Sequence, residues 1–562
     1  MQNKKLKLVL CWHMHQPEYR DLTTGEFKLP WTYLHVIKDY VDMVAHLEAV
    51  PEAKAVVNFA PILLEQIEEY AKQVSDYLQN RISITDPLLA ALVDPTPPAD
   101  PEVRLKLIKD CLRANRDRQI NRYPVFKRLA EMAGWLEHHY EALTYINAQF
   151  ITDMLVWYHL AWIGETIKLN DSRVKYLLEK GSDYTPHDRI ELLEVIAEQL
   201  SNVLVRYKAL VHKGQIELSV TPYAHPIMPL LLDLNCTHQA MPDAPLPELQ
   251  TYPGGEARVQ WHLDKGVQIF KRFFGFKPKG CWPSEGSISD QTLKILGEYG
   301  FDWAATGGSV LRNSLHLPEN IKPEGVHHPF KLDNTSIACF FRDDGLSDLI
   351  GFEYSKWHAD DAVADLIHHL ENIAANEPAD SVVSIIMDGE NAWEYFPDNG
   401  YYFLSALYKR LANHPGIELS TFSDCLDTGV EVKPLARTVA GSWVYGTFST
   451  WIGDADKNRG WDMLGDVKRV FDQAVASNRL TAKQLQEANL QLAVCEGSDW
   501  FWWFGDYNPG EAVSNFEKQY RLNLANLYRL LGEEPPAYLA LSFTQGSGAP
   551  AMGGAMRPGV EQ

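Results

Sequence analysis

Short apolar runs separated by helical stretches recur along this chain, and that alternation constrains its fold more than any other feature. The runs fall at 6–12, 55–60, 216–221, 280–283, 303–306, 336–341, 382–387 and 417–420. Runs this short, bounded by turn residues, predict buried strands, and helices between them predict a parallel sheet with crossover connections. The number of strands favours a barrel over an open sheet. Residues 62–213, between the second and third runs, carry helical periodicity and a proline-rich break at Asp94-Pro-Thr-Pro-Pro-Ala-Asp-Pro101. A crossover that large predicts a helical insertion arched over one barrel face, a candidate lid.

After about residue 430 the pattern becomes amphipathic helix, over 464–477, 481–495 and 513–531. The expected organisation is therefore an α/β catalytic barrel over 1–425 with its insertion at 62–213, then a helical domain over 426–540 that contributes to the cleft. The Gly, Ala and Pro-rich stretch 541–562 is expected to be a flexible tail. The opening residues join positive charge to a short apolar stretch that meets His13 and His15 before any cleavage-type site, so they read as a first strand and not a signal peptide. No apolar run approaches membrane-spanning length. The seven cysteines are scattered, without a Cys-x-x-Cys pair, which fits a reducing compartment and argues against a zinc knot. A cytoplasmic protein is expected.

A formal net charge of −22 disfavours nucleic acid or an anionic membrane as partner, since either needs a basic surface. The 16 Trp and 25 Tyr point instead to a ligand gripped by flat apolar faces with hydrogen-bonding tips.

Two acids stand where a strand-like run breaks into a glycine-containing turn: Glu285 in Trp282-Pro-Ser-Glu-Gly-Ser, and Asp388 in Ile-Ile-Met-Asp-Gly-Glu390-Asn. The carboxyl ends of strands are where α/β barrels place their chemistry, although Asp at such a place also caps helices and turns. Apolar walls (Trp282, Pro283) and a nearby like charge (Glu390, followed by Trp393) raise a carboxyl pKa, as a general acid at neutral pH requires. Asp388 is the better acid candidate and Glu390 its competitor.

Three further clusters surround that pair. In Trp12-His13-Met-His15-Gln-Pro the histidines share one strand face, where they could bind metal, bond a polyol, or be satisfied core groups. In Gly214-Gln-Ile-Glu217, followed by Pro222-Tyr-Ala-His225-Pro, Glu217 sits inside an apolar strand and so needs a partner: histidine, arginine or a ligand hydroxyl. The third is Trp-rich, with Trp443, Trp451 and Trp461, then Glu496-Gly-Ser-Asp499-Trp500-Phe-Trp-Trp503-Phe-Gly-Asp506. Trp beside Gly, Asp and Asn is what a sugar platform needs.

Taken in series, His13-Met-His15-Gln-Pro, Gly-Gln-Ile-Glu217 with Pro-Tyr-Ala-His225-Pro, Trp282-Pro-Ser-Glu285, Asp388-Gly-Glu390 and the Trp-rich stretch resemble glycoside hydrolase family 57, in particular its amylopullulanase and α-amylase-like members. The resemblance implies an incomplete (β/α)7 barrel followed by a helical region, a retaining mechanism and α-glucan substrates. It implies Glu285 as nucleophile and Asp388 as general acid/base, with His15, Glu217 and the Trp-rich segments, Asp499 and Asp506 included, lining sugar subsites; His225, Trp282, Glu390 and Trp393 are further substrate-binding candidates, and His13 assists Glu285 or binds a sugar hydroxyl. Glucanotransferases and branching enzymes of the family use the same covalent intermediate. The competing chemistry is a metal-dependent deacetylase or mannosidase with His13 and His15 as ligands beside Asp388 or Glu217, for which no His-x-x-x-His companion is present. No metal or other cofactor is expected to be required, and no structural calcium site is indicated.

Overall fold

The computed structural model describes residues 5–94, 96–318, 323, 325–378, 380–548 and 555–559. The strands are β1 (Leu6–Met14), β2 (Ala55–Phe59), β3 (Ile216–Val220), β4 (Gly280–Cys281), β5 (Trp303–Gly307), β6 (Phe330–Leu332), β7 (Ala338–Arg342), β8 (Val382–Asp388), β9 (Ile417–Leu419) and β10 (Lys433–Leu435). Seven of them close a parallel barrel in the order β1-β2-β3-β4-β5-β7-β8 and back to β1. The other three lie outside the ring. β6 runs antiparallel against β7, β10 pairs with β6, and β9 pairs with Leu6 to Leu8 of β1, below the stretch that pairs with β2. β6 and β10 have no counterpart among the expected strands: Phe330-Lys-Leu and Lys433-Pro-Leu are each broken by a lysine or a proline and show no apolar run.

Strand side chains alternate between two separate packing environments, as a closed barrel requires. Leu8, Leu10, Trp12 and Met14 of β1 pack outward against helices, while Val9 and Cys11 join Val56, Trp282, Trp303, Phe340 and Ile386 in an inner cluster. Two positions further along each strand, the inner series turns polar: His13 follows Cys11, Asn58 follows Val56, Arg342 follows Phe340 and Asp388 follows Ile386. Polarity therefore appears at the carboxyl end of the barrel. The amino half is mainly apolar, with Glu217 the acid set among its inner residues.

Between β2 and β3 the chain is helical from Pro61–Asn80 to Pro186–His212. The proline-rich break resolves into a helix start: Asp100 accepts from the Glu102 N–H and Pro101 takes the first helical position, where its missing donor costs nothing. Thr185 with Asp188, and Thr481 with Gln484, form reciprocal capping boxes that begin two further helices. The insertion reaches the helical region through Arg113, whose guanidinium lies 2.9 Å from Glu511. Helices Ala455–Ala476, Ala482–Cys495 and Gly510–Leu530 form the C-terminal bundle, tied by Tyr520 Oη donating to the Gly460 carbonyl. Among the described residues no helix is long and apolar enough to cross a membrane.

The bundle is locked to the barrel by a buried ion pair. Glu496 accepts from Arg258 Nε and Nη2, Tyr252 Oη and His262 Nε2, all within 3.0 Å. The tail expected over 541–562 includes 549–554 and 560–562, which lie outside the described residues. Its described part is bonded: the Gly559 N–H donates to Asp348 and the Ser547 N–H to the Asp506 carbonyl.

Candidate active site

A cleft of about 430 Å³ opens where the inner face turns polar, between the barrel end and the helical bundle. Strand register brings its floor together: His13 stands opposite Asp388 on one side and Asn58 on the other, and Asn58 stands opposite Ser219. Asp388 is the last residue of β8 and points into this row, its Oδ2 accepting from Asn391 Nδ2 at 2.9 Å.

Glu285 comes from the turn after β4 and is held in the left-handed region at φ 58°, ψ 23°. For a residue with a Cβ that conformation costs about 1–3 kcal/mol and persists only when its surroundings impose it. Gly286 follows at φ 59°, where a Cβ would come within 2.9 Å of the Trp282 ring. The Trp443 N–H donates to the Glu285 carbonyl, and Thr306 Oγ1 to that of Gly286. The side chain is held as well: Trp443 Nε1 donates to Oε2 at 3.0 Å, Ser498 Oγ lies 3.5 Å from Oε1, and His225 Nδ1 lies 3.8 Å from it.

Among the described residues no guanidinium or ammonium bonds to either acid, and burial dominates their ionisation. It pushes Glu285 up to about 8, helped by the charges of Asp388 and Asp499 and opposed by the Trp443 bond. Burial also lifts Asp388, to about 6, with Asn391, His15 and Arg342 pulling it back. At neutral pH the pair thus holds about one proton. Glu390 is pushed well above the usual carboxylate range by burial, then by Asp388, and accepts from Gln16 Nε2, Tyr40 Oη and the His15 N–H. Its Oε2 is buried without a hydrogen-bond partner.

Three imidazoles stack against this wall. His15 lies 3.8 Å over His225 with an 18° tilt, and His13 Nε2 meets His225 Nε2 at 3.1 Å. His225, like Glu285, sits at positive φ (60°), so both groups flanking Ser498 are on strained backbone. Burial holds His13 down near 3 and His225 well below the usual histidine range, so both are neutral. His15, His225 and Asp499 place donor atoms within 4.8 Å of one another, a metal-sized set. The geometry does not suit one: stacked rings aim their in-plane lone pairs side by side, and His15 Nε2 already meets Asp499 while both His225 nitrogens meet Ser498 and His13.

The family model described as glycosyl hydrolase family 57 matches residues 9–438, most of the chain and all seven barrel strands. The chain belongs to glycosyl hydrolase family 57. A comparison with curated proteins found no match. Among solved structures, a family 57 branching enzyme from Thermococcus kodakaraensis superposes with a TM-score of 0.57 at 15% identity, covering 94% of this chain and 90% of that one. A branching enzyme of the same type from Pyrococcus horikoshii gives 0.54 at 15%, covering 100% and 99%. An α-amylase from Thermotoga maritima gives 0.54 at 13%, covering 94% and 93%. At these identities the likeness is one of fold.

Within this family 57 barrel, the cleft is lined by Glu285, Asp388, His13, His15, His225 and Glu390, and from the C-terminal region by Trp443, Asp499 and Trp503. Other residues expected at sugar subsites lie elsewhere. Glu217 faces the barrel interior two strand positions below Ser219, where Trp303 Nε1 and the N–H and hydroxyl of Ser423 satisfy it; its partners are structural and no ligand hydroxyl is needed. Trp282 is fully buried beneath Glu285, its ring edge-on to Trp443 at 5.2 Å. Trp393 is buried too, donating to the Gly389 carbonyl and so bracing the turn that carries Glu390. Trp451, Trp461 and Trp500 are core of the helical region: Trp461 Nε1 bonds the Trp451 carbonyl and Trp500 Nε1 that of Val494. Asp506 is exposed and does not line the cleft.

Beside Trp443 and Trp503, the aromatic lining comes from Trp31, Trp162, Trp502 and Phe516, which carry no distinguishing signal in the sequence. Trp31 and Trp162 lie within loop and insertion patterns that look like ordinary core. Trp502 sits in the Trp-rich stretch, one position from Trp503, and nothing in the sequence tells which ring faces out. Asn58 and Ser498 were also missed, although a lone Asn in an apolar strand carries the same signal as Glu217. Arg557 of the tail reaches the cleft and stacks over Trp502 and Tyr507, 4.9 Å from each ring centre.

Proposed function

We propose that this protein cleaves α-1,4 glucosidic bonds of glycogen, starch or maltooligosaccharides by a retaining double displacement, with α-1,6 bonds a further target. Glu285 attacks the anomeric carbon as Asp388 gives its proton to the departing glycosidic oxygen; Asp388 then takes a proton from water, which displaces the glucosyl group from Glu285. The observation that carries this reading is geometric: Glu285 on the turn after β4 and Asp388 at the end of β8 line one cleft at the carboxyl end of the barrel, where enclosure raises both carboxyls. One acid must be ionised and the other protonated for either half-reaction. Burial acts more strongly on Glu285 than on Asp388 and so favours the proton on Glu285 in the protein alone. A glucosyl ring gaining positive charge favours Glu285 as the anion and leaves the proton on Asp388. Trp443 and Trp503 offer stacking faces, while Glu390, raised by burial and with an Oε2 that has no partner among the described residues, suits a sugar hydroxyl.

A second reading keeps the covalent intermediate but passes it to another sugar, as in glucanotransferases and branching enzymes. The apolar wall of Trp31, Trp162, Trp502 and Phe516 favours it, because an apolar lining keeps water from the covalent intermediate. Product analysis on maltooligosaccharides and pullulan tests both. New reducing ends indicate hydrolysis, whereas longer or branched chains without new reducing ends indicate transfer. Unchanged turnover in Glu285→Gln or Asp388→Asn would overturn the assignment itself.

A further inference from the structure

We propose that Asn58, His13, His225 and Ser498 form one hydrogen-bonded chain whose direction of donation sets the protonation state of Glu285, with the Asn58 amide as its reversible stop. The proposal rests on Glu285 being the nucleophile. Its links are continuous: Asn58 Oδ1 to His13 Nδ1 at 2.7 Å, His13 Nε2 to His225 Nε2 at 3.1 Å, His225 Nδ1 to Ser498 Oγ at 2.8 Å, and Ser498 Oγ to Glu285 Oε1 at 3.5 Å. All four residues between the barrel interior and the nucleophile are buried.

Donor counting couples the links. A neutral imidazole carries one N–H, so it donates on one side and accepts on the other. With Asn58 as placed, its Oδ1 accepts from His13 Nδ1, His13 Nε2 accepts from His225 Nε2–H, and His225 Nδ1 accepts the Ser498 hydroxyl. Ser498 then offers Glu285 only a lone pair, which suits a carboxylic acid O–H. This direction matches a nucleophile that is protonated at rest.

Exchanging the positions of the Asn58 oxygen and nitrogen reverses every link without moving another heavy atom. Its NH2 then donates to His13 Nδ1, His13 to His225, His225 Nδ1 to Ser498, and Ser498 to a Glu285 carboxylate. The neighbours tolerate both arrangements. Asn58 Nδ2 now donates to Ser219 Oγ and its Oδ1 accepts from Thr221 Oγ1. After exchange Ser219 donates to Oδ1 and Thr221 accepts from Nδ2, keeping its own proton for the Trp282 carbonyl 2.9 Å away. The two states differ by one proton, which leaves Glu285 for Asp388 or bulk water, and by which nitrogen of each imidazole bears its hydrogen.

Around Glu285 the remaining groups leave this choice to the chain. Trp443 Nε1 donates to Oε2 in either state. Asp388 and Asp499 oppose its ionisation, while His15 is engaged with Asp499, Glu390 lies behind Asp388, and Arg342 is bound to Asp344 and Asp348. Ser498 is thus a positioning residue for Glu285, and Asn58 acts on it from three bonds away.

Nitrogen-15 NMR of the full-length enzyme labelled at histidine, with His225 assigned through His225→Asn, tests the chain without reference to turnover. The expected result is a neutral His225 throughout, changing from Nε2–H to Nδ1–H across the pH range in which Glu285 ionises. One tautomer on both sides of that range, or an imidazolium, overturns it. Kinetics add a second readout. Ser498→Ala removes the last donor to the anion, so the alkaline limb of kcat/KM moves up by roughly one pH unit and the plateau falls about tenfold, equal logarithmic changes because both follow from the same ionisation. Ser498→Thr restores both. Asn58→Leu produces the same paired change in the wild type but none in the Ser498→Ala background. A plateau loss without limb movement, or additive effects of the two substitutions, overturns the proposal; loss of activity in Glu285→Gln and Asp388→Asn is a separate question, so the two readings fail separately.

Discussion

Glu285 and Glu496 stand in the same tripeptide, Glu-Gly-Ser, at the boundary of barrel and bundle, Glu496 fully buried and Glu285 with 12% of its side chain exposed, yet their ionisation is opposite. Burial raises both. At Glu496 the guanidinium of Arg258, with His262 and Tyr252, outweighs it and brings the carboxyl down to about 2. At Glu285 no cation among the described residues bonds to the carboxyl, Asp388 and Asp499 add to the effect of burial, and the group rises to about 8. A buried carboxylate with a full set of donors holds a structure together; one with too few keeps a proton that chemistry can use.

Substitution should separate the two most sharply. Glu285→Gln and Asp388→Asn should each lower kcat/KM on α-glucan by on the order of 10³-fold or more, measured by product formation, while the fold survives. Glu496→Gln should do the converse: leaving Arg258 buried without its counter-charge costs about 3–5 kcal/mol, visible as a lowered Tm and urea midpoint. Parallel losses of stability in all three variants would dissolve the comparison.

The pH dependence follows the same division. Activity as kcat/KM should be bell-shaped with limbs near 6 and 8, falling below as both acids take protons and above as both lose them. For stability the signs are opposite. Glu285 binds its proton more tightly folded than unfolded, so it lowers stability progressively as pH rises from its unfolded value, near 4.5, to about 8. Glu496 contributes stability that is complete above its unfolded value and is lost as pH falls through about 2. Hence Glu285→Gln should exceed the wild type in Tm at pH 8 and match it at pH 4, which thermal melts at the two values check.

Smaller effects should distinguish tryptophans of the Trp-rich region. Trp503→Ala, at the cleft wall, should raise KM roughly tenfold with little change in Tm. Trp500→Ala, in the core three residues earlier, should cost about 3–5 kcal/mol of stability and leave the KM of the folded fraction unchanged. Equal KM effects would mean that the wall is not where the sugar binds.

The barrel was legible because parallel strands buried on both faces read as continuous apolar runs, and all seven appear in the sequence as such. Both acids were legible because each interrupts such a run at its carboxyl end. Glu217 and the Trp residues were harder, since an acid in a strand or a Trp beside Gly looks the same whether its partner is a sugar or another side chain. Glu217 has Trp303 and Ser423; Trp461 stacks on Phe501.

Local pattern by itself determined a parallel α/β barrel, the helical insertion and bundle, and the positions of Glu285, Asp388 and His13 at strand ends, because burial period and strand termination are properties of neighbouring residues; the count of seven strands came from the family resemblance. Tertiary structure alone decided which glutamate is paired and which is not, which tryptophans face the cleft, and that Asn58 and Ser498 meet through two imidazoles. Those depend on partners far apart in the chain, and ionisation answers to the partners that the fold supplies.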